Sequence, residues 1–403
     1  MKRIYEAVLQ HHLAEANQMV FLSGPRQVGK TTISRSVETS TSEFLYLNWD
    51  DLEHRTIIME GASVIADQLK LAEMHARRPI LVFDELHKYP DWKNFLKGFY
   101  DRYAKKTHII VTGSSRLDIY KKGGDSLMGR YFPYRIHPFS VGEILRQKID
   151  LDKLIKPPKE LEHEKFKQLF QFGGFPDPFL RHDNRYSLRW QRLRQQQLLR
   201  EDIRDVNRIT DINRLELLAK LIEEQAAGEM TYSSLAKKVR VSVDTISRWI
   251  EILEAFYFCF LIRPWSRNIT RSLLKEPKVF LWDWSTIQDP GARAENFIAC
   301  HLLKAVHFWT DMGLGDFGLY YLRDLEKREV DFIVTHDDKP WFLVEVKLSS
   351  NGSINRNLHY YQQQTSAPHA FQVVIDKPFV NKNCFDYYEP IIVSALTFLS
   401  QLV

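Results

Sequence analysis

The sequence predicts an α/β protein with a parallel-sheet core at the N-terminus, a helical middle and a second α/β domain at the C-terminus. Three observations predict it. Over residues 1–145 short apolar runs alternate with amphipathic stretches, the pattern of a parallel sheet covered on both faces. From about 146 to 228 the pattern is helical and polar, broken at Lys156-Pro157-Pro158-Lys159 and Gly173-Gly174-Phe175-Pro176. After about 266 strands return, ending in the pair Glu329–Val334 and Trp341–Leu348 around a His336–Pro340 turn. At about 150 residues per domain, 403 residues make two or three domains.

The N-terminal apolar runs are Met19–Ser23, Phe44–Asn48, Pro79–Asp84 and Thr107–Thr112. After the first comes Gly24-Pro25-Arg26-Gln27-Val28-Gly29-Lys30-Thr31, a full match to G-x-x-x-x-G-K-[ST], and then Thr32–Val37, a helix start. Glycines at both ends let backbone N–H groups point inward at phosphate oxygens, and the helix N-terminus adds partial positive charge. Residues 24–32, Thr32 included, are therefore the candidate ATP-binding set. Lys30 is expected to reach the β- and γ-phosphates, and the Thr31 hydroxyl to ligate Mg²⁺. The run Ile80–Phe83 delivers Asp84 and Glu85 at its end, Asp84 as the Mg²⁺ acid and Glu85 to polarise the attacking water. The next strand ends in Thr112-Gly113-Ser114-Ser115-Arg116, with Ser114 the first choice to sense the γ-phosphate and Thr112 the second. Arg130 is a candidate transition-state cation, acting in cis or across a subunit interface, with a salt-bridged surface arginine as the alternative.

The helical middle splits in two. Residues 181–214 carry nine arginines against five acids. A solvated helix face is their default reading, and a nucleic-acid surface the alternative. Residues 229–265 read as a helix-turn-helix. Leu235, Ala236 and Val239 pack against Val243, Ile246, Ile250 and Leu253. Ser242 caps the second helix, which presents Asp244, Thr245, Ser247 and Arg248 outward, and Phe256–Pro264 forms a wing or packing strand. Such modules either contact DNA or pack between domains.

In the C-terminal strand pair Asp331 lies on one strand and Glu345-Val346-Lys347 on the next. Alternation puts Glu345 and Lys347 on the face of Leu343. Charges inside an apolar strand require partners. One reading is a structural salt bridge to Asp331. The other is a Mg²⁺ site of Asp331 and Glu345, with Lys347 activating water for phosphodiester attack.

Composition bounds the rest. Fifty-six Lys+Arg against 51 Asp+Glu leave +5, which permits a nucleic-acid partner without requiring one. Nine Trp and 25 Phe supply more than one core. Cys259, Cys300 and Cys384 form no CxxC pair, against a disulfide framework or a zinc ribbon and in keeping with a reducing compartment. Lys2-Arg3 precede no apolar leader. The longest apolar run, Ala255–Ile262, is eight residues against the roughly 20 that span a bilayer. A cytoplasmic location with no membrane partner is expected.

The order of these segments resembles the prokaryotic AAA+-type ATPases that carry a C-terminal domain of unknown function 4143. The P-loop, Asp84–Trp92, Thr112–Ser115 and Gly129-Arg130 carry the first half of the resemblance. Gly173–Pro176, Leu281-Trp282-Asp283 and Arg328–Asp331 through Lys347 carry the second. His87 stands where that family would have Gln. Asp331…Glu345-x-Lys347 is similar to the PD-(D/E)xK nuclease superfamily, with Val330 in place of its proline. That similarity implies a further helix acid, Glu295, as a metal ligand and a downstream Gln362. Together the resemblances imply a P-loop ATPase core (1–145), a helical lid (146–228), a winged-helix module (229–265) and a nuclease-like α/β domain (266–403). The implied activity is ATP hydrolysis with Mg²⁺, in a chain able to oligomerise and coupled to a nucleic-acid-directed domain. That domain is either a Mg²⁺-dependent nuclease or catalytically inactive, in which case the chain is an ATP-dependent regulator or interaction protein.

Overall fold

The computed structural model describes residues 1–38, 43–113, 127–146, 150–203, 211–266, 276–350 and 352–403. The chain divides into two compact units, Met1–His137 with Gln147–Leu151, and Pro138–Arg146 with Asp152–Val403.

The first unit is built on five strands: β1 (Met19–Ser23), β2 (Phe44–Asn48), β3 (Ile80–Asp84), β4 (His108–Gly113) and β5 (Tyr131–Arg135). They lie in the order β2-β3-β4-β1-β5, and every pairing is parallel. Met19, Phe21, Leu81, Phe83, Ile109 and Val111 point to one face, against Ile65, Leu96 and Phe99 of two helices. Val20, Leu22, Val82 and Ile110, which alternate with them, are buried as well. With both faces covered, each of the three central strands has to be an unbroken apolar run, which is why they are legible in the sequence. The edge strand β2, largely half-buried, is legible by its own apolar residues. The fifth is not. Tyr131-Phe132-Pro133-Tyr134-Arg135 contains a proline, which argues against a strand. At the edge of the sheet, where β5 lies, no partner needs its N–H.

The second unit begins with the short helix Val141–Leu145 and continues as helices over His163–Phe172, Pro176–Arg181, Asn184–Gln197 and Ile212–Glu224. Then come helices Tyr232–Val239 and Val243–Ala255, followed by the antiparallel pair β6 (Cys259–Ile262) and β7 (Lys278–Leu281). Ser242 caps the second of these helices, its Oγ accepting from Thr245 N at 3.1 Å. Val243, expected in the core, is 47% exposed, because the first helical position lies on the far side of the capped turn.

The long helix Pro290–Asp311 leads to a mixed sheet of β8 (Phe317–Arg323), β9 (Glu329–His336), β10 (Lys339–Lys347), β11 (His369–Val374) and β12 (Ile391–Ser394), ordered β12-β11-β10-β9-β8. β8, β9 and β10 are antiparallel, whereas β11 and β12 run parallel to β10. The β9–β10 turn is shorter than the sequence suggests. Asp337 and Asp338 take φ of 49° and 61°, the two-residue geometry whose twist matches the flanking strands. Pro340 falls where the register shifts.

Candidate functional site

In a parallel α/β sheet the loops at the C-terminal strand ends form the binding crevice. Those of β1, β3 and β4 carry the predicted set. Gly24 follows β1, and a Cβ there would lie 2.4 Å from Ile136 O, so only glycine fits. Gly29 has φ +97° immediately before the helix Lys30–Arg35, leaving that helix's first N–H groups at the loop. Lys30 is buried, and its Nζ donates to Gly24 O at 2.9 Å and Pro25 O at 2.8 Å, across the mouth of its own loop.

Asp84 gathers three hydroxyls. Thr31 Oγ1 donates to its Oδ2 at 2.9 Å, Tyr46 OH donates to the same oxygen, and Thr112 Oγ1 donates to Oδ1. Cis ligands of an octahedral Mg²⁺ at about 2.05 Å stand about 2.9 Å apart, so the Thr31 hydroxyl and the Asp84 carboxylate fit that ion. Burial, followed by the hydrogen bond and charge of Asp84, pushes the Tyr46 hydroxyl well up, so it stays a donor.

Glu85 takes a left-handed φ of 54° just past β3, a sparsely populated conformation for a non-glycine residue. Its N–H donates to Thr112 O at 3.2 Å, and its carboxylate faces Lys88 at 3.7 Å and His87 at 3.6 Å. Burial lowers the His87 pKa, with Glu85 opposing, which favours the neutral ring.

Arg130 is at the wrong end of the sheet for a cis role. Its carbonyl accepts from Met19 N at 2.8 Å, at the start of β1, whereas the phosphate loop leaves the end of β1. The five residues between span roughly 15 Å, beyond an arginine's reach. Its guanidinium pairs with both oxygens of Asp101, at 2.8 and 3.0 Å. At the correct end stands Arg135, in register with Ser23. Ser114 and Arg116 lie outside the described residues.

The sequence reading missed two residues here. Tyr46 looks like an ordinary strand aromatic. Arg3 reads as an exposed terminal charge, yet it is 5% exposed and donates to Val28 O and His137 O, each at 2.5 Å, tying the phosphate loop to the residue beyond β5. No local signal marks either, because their partners are 38 and 25 positions away.

In the second unit Glu295, Asp331 and Glu345 do converge: Glu345 raises the electrostatic cost of ionising both Glu295 and Asp331, and Glu295 that of ionising Asp331. A cation sits against Glu295 and Asp331, and it is the ammonium of Lys278. Only 5% exposed, it stands 2.9 Å from Glu295, 2.5 Å from Glu329 and 3.9 Å from Asp331. Burial pulls the Lys278 pKa down, but Glu295, Asp331 and Glu329 outweigh it, so the net direction is up. Burial, then Glu295 and Glu345, drive Asp331 well above the carboxylate range, and burial likewise raises Glu295.

The expected metal set is thus corrected. Among the described residues no group of three or more His, Cys, Asp or Glu could hold a metal ion. Asp331 Oδ2 accepts instead from Val346 N at 2.7 Å. Glu345 Oε1 accepts from Lys347 at 2.7 Å and from Asn355 at 2.6 Å, and Lys347 is 44% exposed at the strand end. Gln362 donates to Tyr388 O at 2.7 Å, in a separate network. Lys278 went unnoticed because it sits 17 residues before the nearest member of the cluster, in a four-residue strand.

Residues 16–145 match the AAA domain family, 163–288 a domain of unknown function (DUF8612) and 290–379 a domain of unknown function (DUF4143). Gly173–Pro176 and Leu281–Asp283, expected in the last of these, fall in the middle one. An uncharacterized protein of Mycobacterium tuberculosis is 22% identical over 84% of this chain and 72% of its own length. One from Methanocaldococcus jannaschii is 23% identical over 66% and 60%. Among solved structures, AMPPCP-bound DnaA from Aquifex aeolicus aligns at TM-score 0.32 and 14% identity, over 61% of this chain and 86% of its own. A katanin structure aligns at 0.28 and 16%, over 63% and 77%. No helix among the described residues is long and apolar enough to cross a membrane.

Proposed function

We propose that this chain, which joins an AAA-type P-loop domain to a C-terminal DUF4143 domain, hydrolyses ATP to drive a non-nuclease regulator of nucleic acid. The observation that carries the ATPase half is the Thr31–Asp84–Thr112 cluster at the mouth of the phosphate loop, with Glu85 beside it. Lys30 binds the β- and γ-phosphates by exchanging its two loop carbonyls for phosphate oxygens. Thr31 and Asp84 would hold Mg²⁺, which when bound would supply charge neutralisation on the phosphates. Glu85 exchanges Lys88 for the attacking water and orients it. Arg3 keeps the loop carbonyl of Val28 turned away from the phosphates, so that the N–H groups face them.

For the second half, the buried ammonium of Lys278 supports an ion network in place of a metal centre. The helix-turn-helix followed by the antiparallel β6–β7 pair supports a winged-helix reading, and the exposed arginines of Asn184–Gln197 supply phosphate contacts.

ATP turnover and ATP binding measured on one preparation test the first half. Lys30→Ala is expected to lose both, and Glu85→Gln to keep binding while turnover falls by roughly 100-fold or more. Wild-type turnover in Lys30→Ala sinks the assignment. A Mg²⁺-dependent nuclease activity that vanishes in both Glu345→Ala and Lys347→Ala would sink the regulator reading.

A further inference from the structure

Two sequence features remain outside this function: Gly173-Gly174-Phe175-Pro176 and Leu281-Trp282-Asp283. The second lines one cavity of about 170 Å³ in the second unit, together with Leu188, Gln191, Arg194, Gln195 and Glu223, and the first packs against its Arg194 and Asp283. At about 30 Å³ per water, that space holds about five waters or one small molecule.

The chemistry at its wall is unfinished. Arg194 Nε and Nη2 are buried and have no hydrogen-bond partner. These two atoms form the fork with which arginine grips an oxyanion side-on. Arg130 turns the same edge on Asp101, and Arg200 on Glu216. The Arg194 guanidinium stacks on the Phe175 ring at 4.1 Å. Asp283 is also buried, and both of its hydrogen bonds, from Ser285 N at 3.2 Å and Ser285 Oγ at 2.5 Å, fall on Oδ1. A Cβ on Gly173 would lie 2.8 Å from that same oxygen, so the glycine leaves room for the acid. Asp283 and Arg194 feel each other's charge, yet form no ion pair among the described residues. An unpaired guanidinium and a half-used carboxylate sharing one cavity are costly unless something lies between them.

We propose that this cavity binds a small zwitterion of the α-amino acid type, its carboxylate on the Arg194 Nε/Nη2 fork and its ammonium on Asp283 Oδ2. Gln191 is fixed by its bond to Ser285 Oγ at 2.9 Å, and Gln195 by its bond to Glu223 at 3.3 Å, so both amides are oriented beforehand. A lone anion leaves Asp283 uncompensated, and a lone cation leaves Arg194 so.

Isothermal titration calorimetry of the full chain with glycine and L-alanine reads the site, with acetate and methylammonium as half-ligands. Saturable binding of either amino acid is expected, with each half-ligand weaker by roughly tenfold or more. Arg194→Lys keeps the charge but loses the fork, and Asp283→Asn loses the charge. Each is expected to weaken binding by roughly tenfold or more. Because both groups are buried, Leu188→Trp is the second probe. Leu188 is 56% exposed at the rim, so the indole fills the cavity while the melting temperature is held. Absence of binding by glycine and alanine alike overturns the proposal and leaves a water-filled cavity. So does acetate binding as tightly as glycine, or wild-type affinity in folded Leu188→Trp and Arg194→Lys.

Discussion

Asp84 shows how much one buried carboxylate can organise. Thr31, Tyr46 and Thr112 come from a helix and two strands, and their hydroxyls fix both of its oxygens. Removing one of the three should leave the sheet intact and loosen the acid. Tyr46→Phe is therefore expected to lower ATP turnover roughly fivefold to tenfold, equivalent to about 1 kcal/mol, with the melting temperature unchanged. Unchanged turnover would make Tyr46 a spectator. Glu223 gives a second prediction at this scale. Burial and the charge of Asp283 push it up to about 7. Its folded pKa then exceeds its unfolded one, so the folded state holds the proton more tightly and stability falls as pH rises from about 4.5 to 7. Urea unfolding at the two ends of that window should differ by on the order of 2 kcal/mol from this group. Glu223→Gln should lose that part of the slope, and an unaltered slope would refute the assignment.

At the scale of elements, Lys278 joins pieces that lie far apart in the chain. It belongs to β7, and its ammonium reaches the helix Pro290–Asp311 through Glu295 and β9 through Glu329 and Asp331. Glu329 passes the network to Arg323 of β8 at 3.3 Å, and Arg323 to Glu229 at 2.5 Å. Removing the ammonium strands three carboxylates. Lys278→Met is expected to cost about 3–5 kcal/mol in urea unfolding, with no Mg²⁺- or Mn²⁺-dependent cleavage of labelled DNA before or after. Gain of cleavage in that variant would mean that the lysine masks a metal site. The same scale explains why the metal reading was natural. Alternation along β10 correctly sets Glu345 beside Leu343, and Asp331 on the neighbouring strand follows from the hairpin. Which cation faces Asp331 depends on a third strand that no hairpin rule specifies.

At the scale of the whole molecule, the modest net charge of +5 conceals an uneven surface. Of the arginines in 181–214, Arg194 is turned inward, Arg200 pairs with Glu216, and Arg214 pairs with Asp211. Arg185, Arg189 and Arg192 recur at helical spacing on the exposed side of Asn184–Gln197, with no ion pair among the described residues. If that helix contacts phosphates, replacing all three by Gln should weaken DNA or RNA binding and flatten its log–log salt dependence by about 2 to 3. An unchanged slope would move the contact elsewhere.

The sequence by itself determined four strands of the N-terminal sheet and its phosphate loop, because a doubly covered strand must be continuously apolar and a phosphate cradle must carry glycine at set positions. Both are local constraints, written in adjacent residues. It also determined which acids meet at β9 and β10, since a short hairpin leaves little choice of register. Tertiary structure alone decided the rest. Arg3 and Tyr46 enter the nucleotide site, and Lys278 takes the centre of the carboxylate cluster, through contacts between segments 17 or more residues apart. Arg130 is displaced to the far end of its sheet because β5 runs parallel to β1, so residues before the strand and residues after it face opposite ends. A buried charge must find a partner of opposite sign, but it has no means of announcing in the sequence which distant residue that partner is.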